Sequence, residues 1–547
     1  MRANANALTS VASGNGSDNS VRLQGVDVDA STAVGNQQTN SGSRIWATLG
    51  TDAVAYTVGA VANGGSTQGS QLSVNGNSGL ASATANAATN ELAVRGATLT
   101  GNVATASSTA GLATADHVLS NDQRVSLTVG VPSGQRALAN GLFTAQGDAN
   151  GLLAGNSSLS VSNNQQDARA LGNTATNTLS LAGTTVDSRS VLASSQVSNG
   201  SVTSDSLMTL SAAPSVSTQS AVTLDNNRNT ALAITNRAFN TVQAAGANVG
   251  PASGGQALAT GTQTSAAHVL SNFQAGNGEQ AVSYASTSLN NFVTGALANN
   301  SSLAATDNVT WAESVVNYAA NRLDVTGSAN LGGAAALQNT QNSLVTGGVT
   351  ATSQTNMSGN RGSFGVISAS ASSVALNDNS TVALAYGNSA ANALNAVAGA
   401  SYAPGSGAAP ANVTPYNVLG AQYALLNTQA NTSNVTANSS AIYEVGALNA
   451  LTATNSGLNV AGNSVAAVAY GNSASNALQV AALNSGTPTA ALSNAQNNVG
   501  AITASASGSA MGINGLLASN SSLAVRGNQI TATAVGNSST SSVLAAR

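Results

Sequence analysis

The chain has 547 residues, only 6% of them charged, and its 14 basic and 18 acidic residues give a net charge of −4. It has no cysteine, which excludes disulfides and thiolate metal sites. It has no basic stripe that could displace counterions from nucleic acid, so we expect no nucleic-acid partner. The apolar fraction of 42% is too high for a disordered polar chain.

One phrase, A-x-G-N-x-A-x-N-x-L, recurs from the beginning of the chain to its end. In chain order it appears as ASGNGSDNSV at 12–21, ATANAATNEL at 83–92, ALGNTATNTL at 170–179, AYGNSAANAL at 385–394 and AYGNSASNAL at 469–478. A second phrase, L-x-[VL]-x-G, follows it, as in LAVRG at 92–96. Together the phrases give a repeat of 20 or 21 residues. A repeat of this length is typical of solenoid proteins.

The pattern inside each phrase predicts the local structure. Apolar residues alternate with small polar ones, which indicates strands with one buried face. Gly-Asn pairs interrupt the alternation, and both residue types tolerate the positive φ of tight turns. We therefore predict an all-β protein, a β-solenoid (β-helix) of 20–21-residue repeats with a few loop insertions. At one unit per coil it would be a rod on the order of 130 Å long, and at two units half that.

One proline-rich segment breaks the pattern. ASYAPGSGAAPANVTPYN, at residues 400–417, contains three of the seven prolines. Proline is poorly tolerated inside a sheet. We predict solenoid repeats over 1–399, a Pro/Gly-rich insertion or linker over 400–417, and further repeats over 418–547.

The recurring asparagine predicts a ladder. Equivalent side-chain amides stacked at the strand spacing of about 4.8 Å can each donate to one neighbour and accept from the other. An ionised group in such a column would lie next to its own copy, which accounts for the scarcity of charge. The predicted ladder consists of Asn15, Asn36, Asn86, Asn173, Asn388, Asn472 and Asn537.

The sequence contains little that favours catalysis. His117 and His268 lie in the repeated phrases ADHVLSN and AAHVLSN, which indicates substitutions tolerated within a repeat. A metal site would need further ligands nearby. Asp27 and Asp29 alternate along one predicted strand, which favours a solvated edge over a calcium site. No phosphate-binding or dinucleotide motif occurs. We expect no catalytic residue, no cofactor and no metal, and hence no enzyme.

Four aromatic residues are candidates for sugar binding. Tyr386 and Tyr470 occupy the same position in two nearly identical phrases, 84 residues apart. Exposed stacked rings could hold sugar rings, but they could equally fill the coil or cover its end. Trp46 and Trp311 have the same two interpretations.

The unit N-S-S-L-x-V-x-x-G-N-x-x-x-x-A-x-G-N resembles the curlin repeat of bacterial functional amyloids. The Ala and Asn bias and the absence of Lys are similar to the curlin-related holdfast anchor proteins of stalked alphaproteobacteria. That resemblance implies a protein on the outer surface that ties an adhesive polysaccharide to the cell. AYGNSAANAL also resembles the A-x-G-x-x-A/S repeats of trimeric autotransporter heads, although their 14-residue period is missing.

From these features we expect an extracellular structural adhesin or anchor at the bacterial cell surface. It would associate with itself through β-edges into fibres and attach cells to a polysaccharide matrix or surface. Its partners would be further copies of itself, polysaccharide and other surface anchor proteins. The alternatives are a trimeric adhesin head or phage tail fibre that binds a surface receptor, and an S-layer subunit.

Overall fold

The computed structural model describes residues 1–41, 44–61, 67–108, 111–126, 134–146, 152–213, 216–250, 255–259, 262–290, 296–358, 368–402, 421–446, 451–482, 488–515 and 517–546. Across these ranges the regular structure consists of β-strands, and none of it forms a helix that could cross a membrane. The strands stack into parallel sheets whose order repeats along the chain, which confirms the predicted all-β solenoid.

Each coil passes through five sheets in the same order, which we call sheets A to E. Sheet A contains Arg2–Asn4, Gln71–Asn75, Ser158–Ser162, Ala221–Asp225, Ser302–Thr306, Ser373–Asn377, Gly457–Ala461 and Ser522–Arg526. Sheet B contains the long strands Ala7–Gln24, Ser78–Arg95, Gln165–Ala182, Arg228–Val249, Val309–Leu331, Ser380–Ala398, Ser464–Ala482 and Gln529–Ala546. Four short strands extend sheet B, namely Asp27–Asp29, Thr98–Thr100, Thr185–Val186 and Ser401–Tyr402.

The return side of the coil is formed by sheets C and D, and sheet E closes it. Sheet C contains Thr32–Ser41, His117–Ser126, Ser190–Ser198, His268–Gly276, Ala335–Ser343, Tyr423–Asn431 and Ala490–Asn498. Sheet D contains Arg44–Leu49, Tyr56–Val61, Gly134–Gln146, Ser201–Ala213, Ala281–Asn290, Val349–Ser358, Val435–Val445, Ile502–Ser505 and Ala510–Ile513. Sheet E contains Thr67–Gln68, Leu152–Ala154, Val216–Thr218, Ala296–Ala298, Ser368–Ser370, Thr452–Thr454 and Leu517–Ser519.

One further sheet is antiparallel and lies outside this pattern. It is formed by two hairpins, with the strands Ala104–Ser108, Gly111–Ala115, Gly255–Ala259 and Thr262–Ala266. Ala113 and Ala115 of this sheet pack against Val118 and Val191 of sheet C, and all four are buried. The hairpins therefore cover part of the outer side of sheet C, so that both faces of the sheet are buried there.

One coil is much longer than the sequence repeat. Asn15 stacks on Asn86 and Asn86 on Asn173, at offsets of 71 and 87 residues. The expectation of one or two repeat units per coil was therefore wrong, because each coil is built from five sheets. Sheets A and B each contain one main strand from each of eight coils. Seven spacings between eight strands make the stack about 34 Å high, so it is not the expected long rod.

The strands on the two sides of the 400–417 segment belong to the same sheets. Ser380–Ala398 pairs with Ser464–Ala482 in sheet B, and Ala335–Ser343 pairs with Tyr423–Asn431 in sheet C. Within the segment, Ser401–Tyr402 pairs with residues 330–331, while residues 403–417 lie outside the described residues. The predicted regions 1–399 and 418–547 thus contribute to one continuous stack.

The core is narrow in the middle of the coil and wider at both ends. In the middle, Ala312 and Ala383 of sheet B pack with Ala351 of sheet D. Leucines fill the ends, with Leu303 in one cluster and Leu323 in the other. Since protein interiors are close-packed, alanines in the middle require the two sides of the coil to lie close together there.

Candidate functional site: stacked amides and outer aromatic residues

A column of asparagines crosses the strands of sheet B at the position where the alternation of buried and outward-facing residues shifts by one residue. At this point two consecutive residues, such as Ala85 and Asn86, are both buried. Each asparagine Nδ2 donates to the Oδ1 of the next coil's asparagine at 2.7–2.9 Å. We call this column the central ladder, and it consists of Asn15, Asn86, Asn173, Asn236, Asn317, Asn388, Asn472 and Asn537.

The structure brings six of the seven predicted asparagines into the central ladder, and Asn36 is the exception. Asn36 lies in sheet C and donates to Asn121 at 2.7 Å. The 21 residues from Asn15 to Asn36 lead along the coil to its opposite side, and not up to the next coil. The prediction did not include Asn236 and Asn317, which follow Thr235 and Val316, whereas the predicted members follow Gly or, for Asn86, Ala.

Two further asparagine ladders face each other across the coil. Asn321 of sheet B donates to Asn392 of the next coil at 2.9 Å and to Asn339 of sheet C at 3.1 Å. Both hydrogens of this amide are therefore used, one along the stack and one across it. The sheet C ladder contains Asn36, Asn121, Asn272, Asn339, Asn427 and Asn494.

A glutamine ladder in sheet C joins it to sheet B. Gln274 Nε2 donates to Gln196 Oε1 and to the backbone carbonyl of Tyr318, both at 2.8 Å. The column begins at Gln38, which accepts from Gln123, and the same pair of bonds recurs at Gln123, Gln196, Gln341, Gln429 and Gln496. Buried amides of this kind are stable only when their donors and acceptors are satisfied, and these bonds satisfy them.

The turn from sheet A into sheet B carries a fourth asparagine ladder. A residue with positive φ begins the turn, as at Gly76 (φ 67°) and Asp307 (φ 53°), and a buried asparagine follows. The backbone N and the Nδ2 of Asn227 both donate to Asn308 Oδ1, at 3.1 and 2.9 Å. We call this column the turn ladder, which consists of Asn6, Asn77, Asn164, Asn227, Asn308, Asn379, Asn463 and Asn528.

The Gly-Asn pairs serve two different purposes. Those at 76–77, 462–463 and 527–528 are positive-φ turns, as predicted. Those of the central ladder are not turns, because glycines such as Gly387 lie within a sheet B strand. A Cβ at Gly387 would lie 2.5 Å from the carbonyl oxygen of Gly471 and from Asn431 Oδ1. Glycine is needed there for close packing of neighbouring coils.

One position interrupts the sheet C ladder. Between Asn121 and Asn272 the intermediate coil presents Ser194. Asn121 Nδ2 is buried and has no hydrogen-bond partner among the described residues. The serine hydroxyl is too short to replace the missing amide.

Tyr386 and Tyr470 lie on the outer side of sheet B and contact each other. Their ring centres are 5.4 Å apart and their planes differ by 7°. Burial raises the pKa of Tyr386 to about 12. Each ring therefore uses one of its faces on the other tyrosine.

Trp311 lies on the same outer side, in the coil before Tyr386. It is half-buried, and its Nε1 donates to Glu313 Oε2 at 3.3 Å. Burial raises the pKa of Glu313. Nearby on sheet B, Phe239 contacts Tyr318 edge-on at 5.8 Å. Sequence reasoning did not single out this second aromatic pair, because Phe239 and Tyr318 do not occupy equivalent positions of the repeat: Phe239 pairs with Ala320, and Tyr318 with Arg237.

Trp46 lies elsewhere, on the outer side of sheet D in the first coil. It is 50% exposed, and the Arg44 guanidinium lies 5.1 Å from its ring centre. Arg136 of the next coil is its neighbour in register. Arg136 in turn forms ion pairs with Asp52 at 2.5 Å and with Asp205 at 3.2 Å. The four predicted aromatic residues therefore do not form one site.

The two histidines are buried in sheet C. His117 Nδ1 hydrogen-bonds to Thr32 Oγ1 at 2.8 Å, and His268 Nδ1 to Ser190 Oγ at 2.9 Å. Burial lowers the pKa of each to about 4, although Asp116 acts in the opposite direction. Among the described residues no three side chains of the kinds that bind metals lie together.

At the C-terminal end of the stack, no described strand covers the last strands of sheets A and B. Leu523, Val525, Ile530, Val543 and Leu544 are each about half exposed, with relative exposures from 46 to 55%. In the preceding coil the side chains equivalent to Leu523, Val525, Ile530 and Val543 are buried, whereas the position of Leu544 lies on the outer side of sheet B. Sheets A and B end in an eighth coil, whereas sheets C and E end in a seventh, so this end is stepped.

No family model, curated protein or solved structure matches the chain.

Proposed function

We propose that this chain is a non-enzymatic structural protein of the bacterial cell surface. It stacks end to end into fibres and attaches cells to a polysaccharide matrix or surface. The observation that carries this proposal is the strand edge at the C-terminal end, where Gln529–Ala546 pairs with a strand on one side only among the described residues. Such edges are templates for pairing with another chain. The likeness of the repeat to curlin supports the same function.

The ladders give the stacking a direction. In the central and turn ladders each asparagine donates its Nδ2 towards the following coil. At the C-terminal end, Asn528 and Asn537 have no following coil within the described residues. At the other end, Asn6 and Asn15 begin the ladders, and among the described residues no amide of an earlier coil donates to their Oδ1 atoms. A second copy placed head to tail would supply these acceptors through sheets A and B.

Electron microscopy and mass measurement over a range of concentrations test the fibre. We expect filaments with an axial repeat of about 4.8 Å. Ala532→Pro should block them, because Gln529 N donates to the preceding coil and the alternation places the Ala532 N–H on the free edge. Thr533→Ala, on the outer side of the same strand, is the matched control and should still assemble.

Two results would contradict the fibre. A wild-type chain that stays monomeric at all concentrations would remove it. A stable trimer of isolated particles would favour the trimeric adhesin instead.

A further inference from the structure

The outer side of sheet D carries a cluster of planar side chains that the ladders do not use. We propose that Trp46, Asp52, Arg136 and Asp205 form a binding site for a neutral polysaccharide. This inference rests on the proposed attachment to polysaccharide, and it assigns that attachment to one place on the coil surface.

The polar part of the site is held in place by ion pairs. Arg136 Nη1 and Nη2 donate to the two carboxylate oxygens of Asp52, at 3.2 and 2.5 Å. Arg136 Nη2 and Nε also donate to Asp205 Oδ2, at 3.2 and 3.4 Å. A guanidinium bound to two carboxylates has little rotational freedom, so the donors and acceptors of the cluster are arranged before a ligand arrives.

These groups match the chemistry of a sugar. Neighbouring hydroxyls on a sugar ring each donate and accept a hydrogen bond, and an adjacent carboxylate and guanidinium offer both functions. The Asp52 side chain is 68% exposed, so a ligand can reach it. Arg44 and Arg136 balance the charges of Asp52 and Asp205, which favours an uncharged ligand over a polyanion.

Trp46 supplies the apolar part. Trp46 and Arg136 are neighbours in register on adjacent strands, so the indole lies beside the ion-pair cluster. A flat, half-exposed indole can pack against the C–H face of a sugar ring at little cost in conformational entropy. Tyr386 and Tyr470 are less suited, because their rings stack on each other.

The chain offers a simple reporter, since it has only two tryptophans. In a Trp311→Phe variant all tryptophan fluorescence comes from Trp46. We expect its emission to shift to shorter wavelength, with saturation, when cellohexaose, maltohexaose or chitohexaose is added. Asp52→Asn in this background should weaken binding about tenfold, as expected for a lost charge-assisted hydrogen bond. Glu91→Gln removes an exposed ion pair on sheet B and should leave the affinity unchanged.

A second readout does not depend on fluorescence. Affinity electrophoresis through gels containing the matching glucan or chitin derivative should retard the wild-type chain, and Trp46→Ala should migrate freely. Both assays use the full chain with Ala532→Pro, so that fibre formation does not affect them. Circular dichroism checks that each variant folds.

Three results would overturn the site. They are an unchanged Trp46 emission with all three oligosaccharides, retardation of Trp46→Ala equal to that of the wild type, and tighter, salt-sensitive binding of a polyanion such as alginate. Filament formation without sugar binding would remove the site and leave the fibre intact. Sugar binding by a chain that never forms filaments would support the site and remove the fibre.

Discussion

The same five residues, NSSLA, occur at 300–304 in the interior of the stack and at 520–524 at its C-terminal end. Both copies enter sheet A through a turn with positive φ, at Asn299 and Asn300 in the first copy and at Asn520 in the second. Yet Leu303 is 1% exposed and Leu523 is 46% exposed. The same five residues, each forming the same strand of sheet A, thus have very different burial.

The difference comes from the number of neighbouring coils. Leu303 has a coil on each side, with Val222 and Val374 in register, whereas within the described strands Leu523 has Leu458 on one side and no partner on the other. In a solenoid each unit is stabilised mainly by its nearest neighbours, so a terminal unit loses about half of that contribution. A further copy stacked on the open end would give Leu523 the environment of Leu303.

Acid should cause the largest loss in the free energy of unfolding. The loss should come from the interior coils, because both histidines lie there. Their folded pKa of about 4 is below the unfolded value of about 6.5. Above pH 6.5 neither state is protonated. As the pH falls from 6.5 to 4, the unfolded chain binds more protons, and the free energy of unfolding drops by about 3 kcal/mol per histidine. Denaturant titrations at several pH values measure this loss.

The control for the acid effect is the His117→Thr, His268→Ser double variant. Thr32 and Ser190 occupy the same column, so these residue types fit there. The variant should lose most of the pH dependence between 6.5 and 4. An unchanged pH profile would mean that other groups are responsible.

The leucine pair gives the next largest difference. Leu303→Ala should lower the free energy of unfolding of the monomer by about 2–5 kcal/mol, because it leaves a cavity in a buried core. Leu523→Ala should cost about 1 kcal/mol, because half of the side chain is already in water. Guanidinium midpoints of the two variants measure the difference. Equal losses would show that the end coil is as well packed as the interior.

Completing the interrupted ladder should have the smallest effect. Ser194→Asn gives Asn121 Nδ2 an acceptor and should raise the free energy of unfolding by about 1 kcal/mol. The neighbouring coils carry Asn121 and Asn272 at this position, so an asparagine fits. Ser180→Asn, on the outer side of sheet B, is the matched control and should change stability by less than about 0.5 kcal/mol. A loss of stability in Ser194→Asn would mean that the coil at residue 194 is too narrow to hold an asparagine side chain.

Sequence reasoning worked where the signal is local. The alternation of apolar and small polar residues predicted the strands. The recurring asparagine of the repeated phrase predicted six of the residues that form the central ladder. It failed where two similar phrases lie on different sides of one coil. Asn15 and Asn36 both stand in A-x-G-N phrases, but they belong to ladders on opposite sides. The candidate sugar site had only Trp46 as a sequence signal, since Arg136 and Asp205 join it through pairing with other coils.

By itself, the sequence determined that this protein is a β-solenoid, because period-two burial and Asn or Gly turns depend only on neighbouring residues. The low charge of the sequence also fits stacked coils, because an ionised group in a column would lie next to its own copy in the neighbouring coil. Only the tertiary structure decided which residues share a column. Partners lie 63–88 residues apart, and insertions of different length change that offset from coil to coil without changing the local pattern. The size of the coil, the glutamine ladder and the stepped end all follow from that long-range pairing.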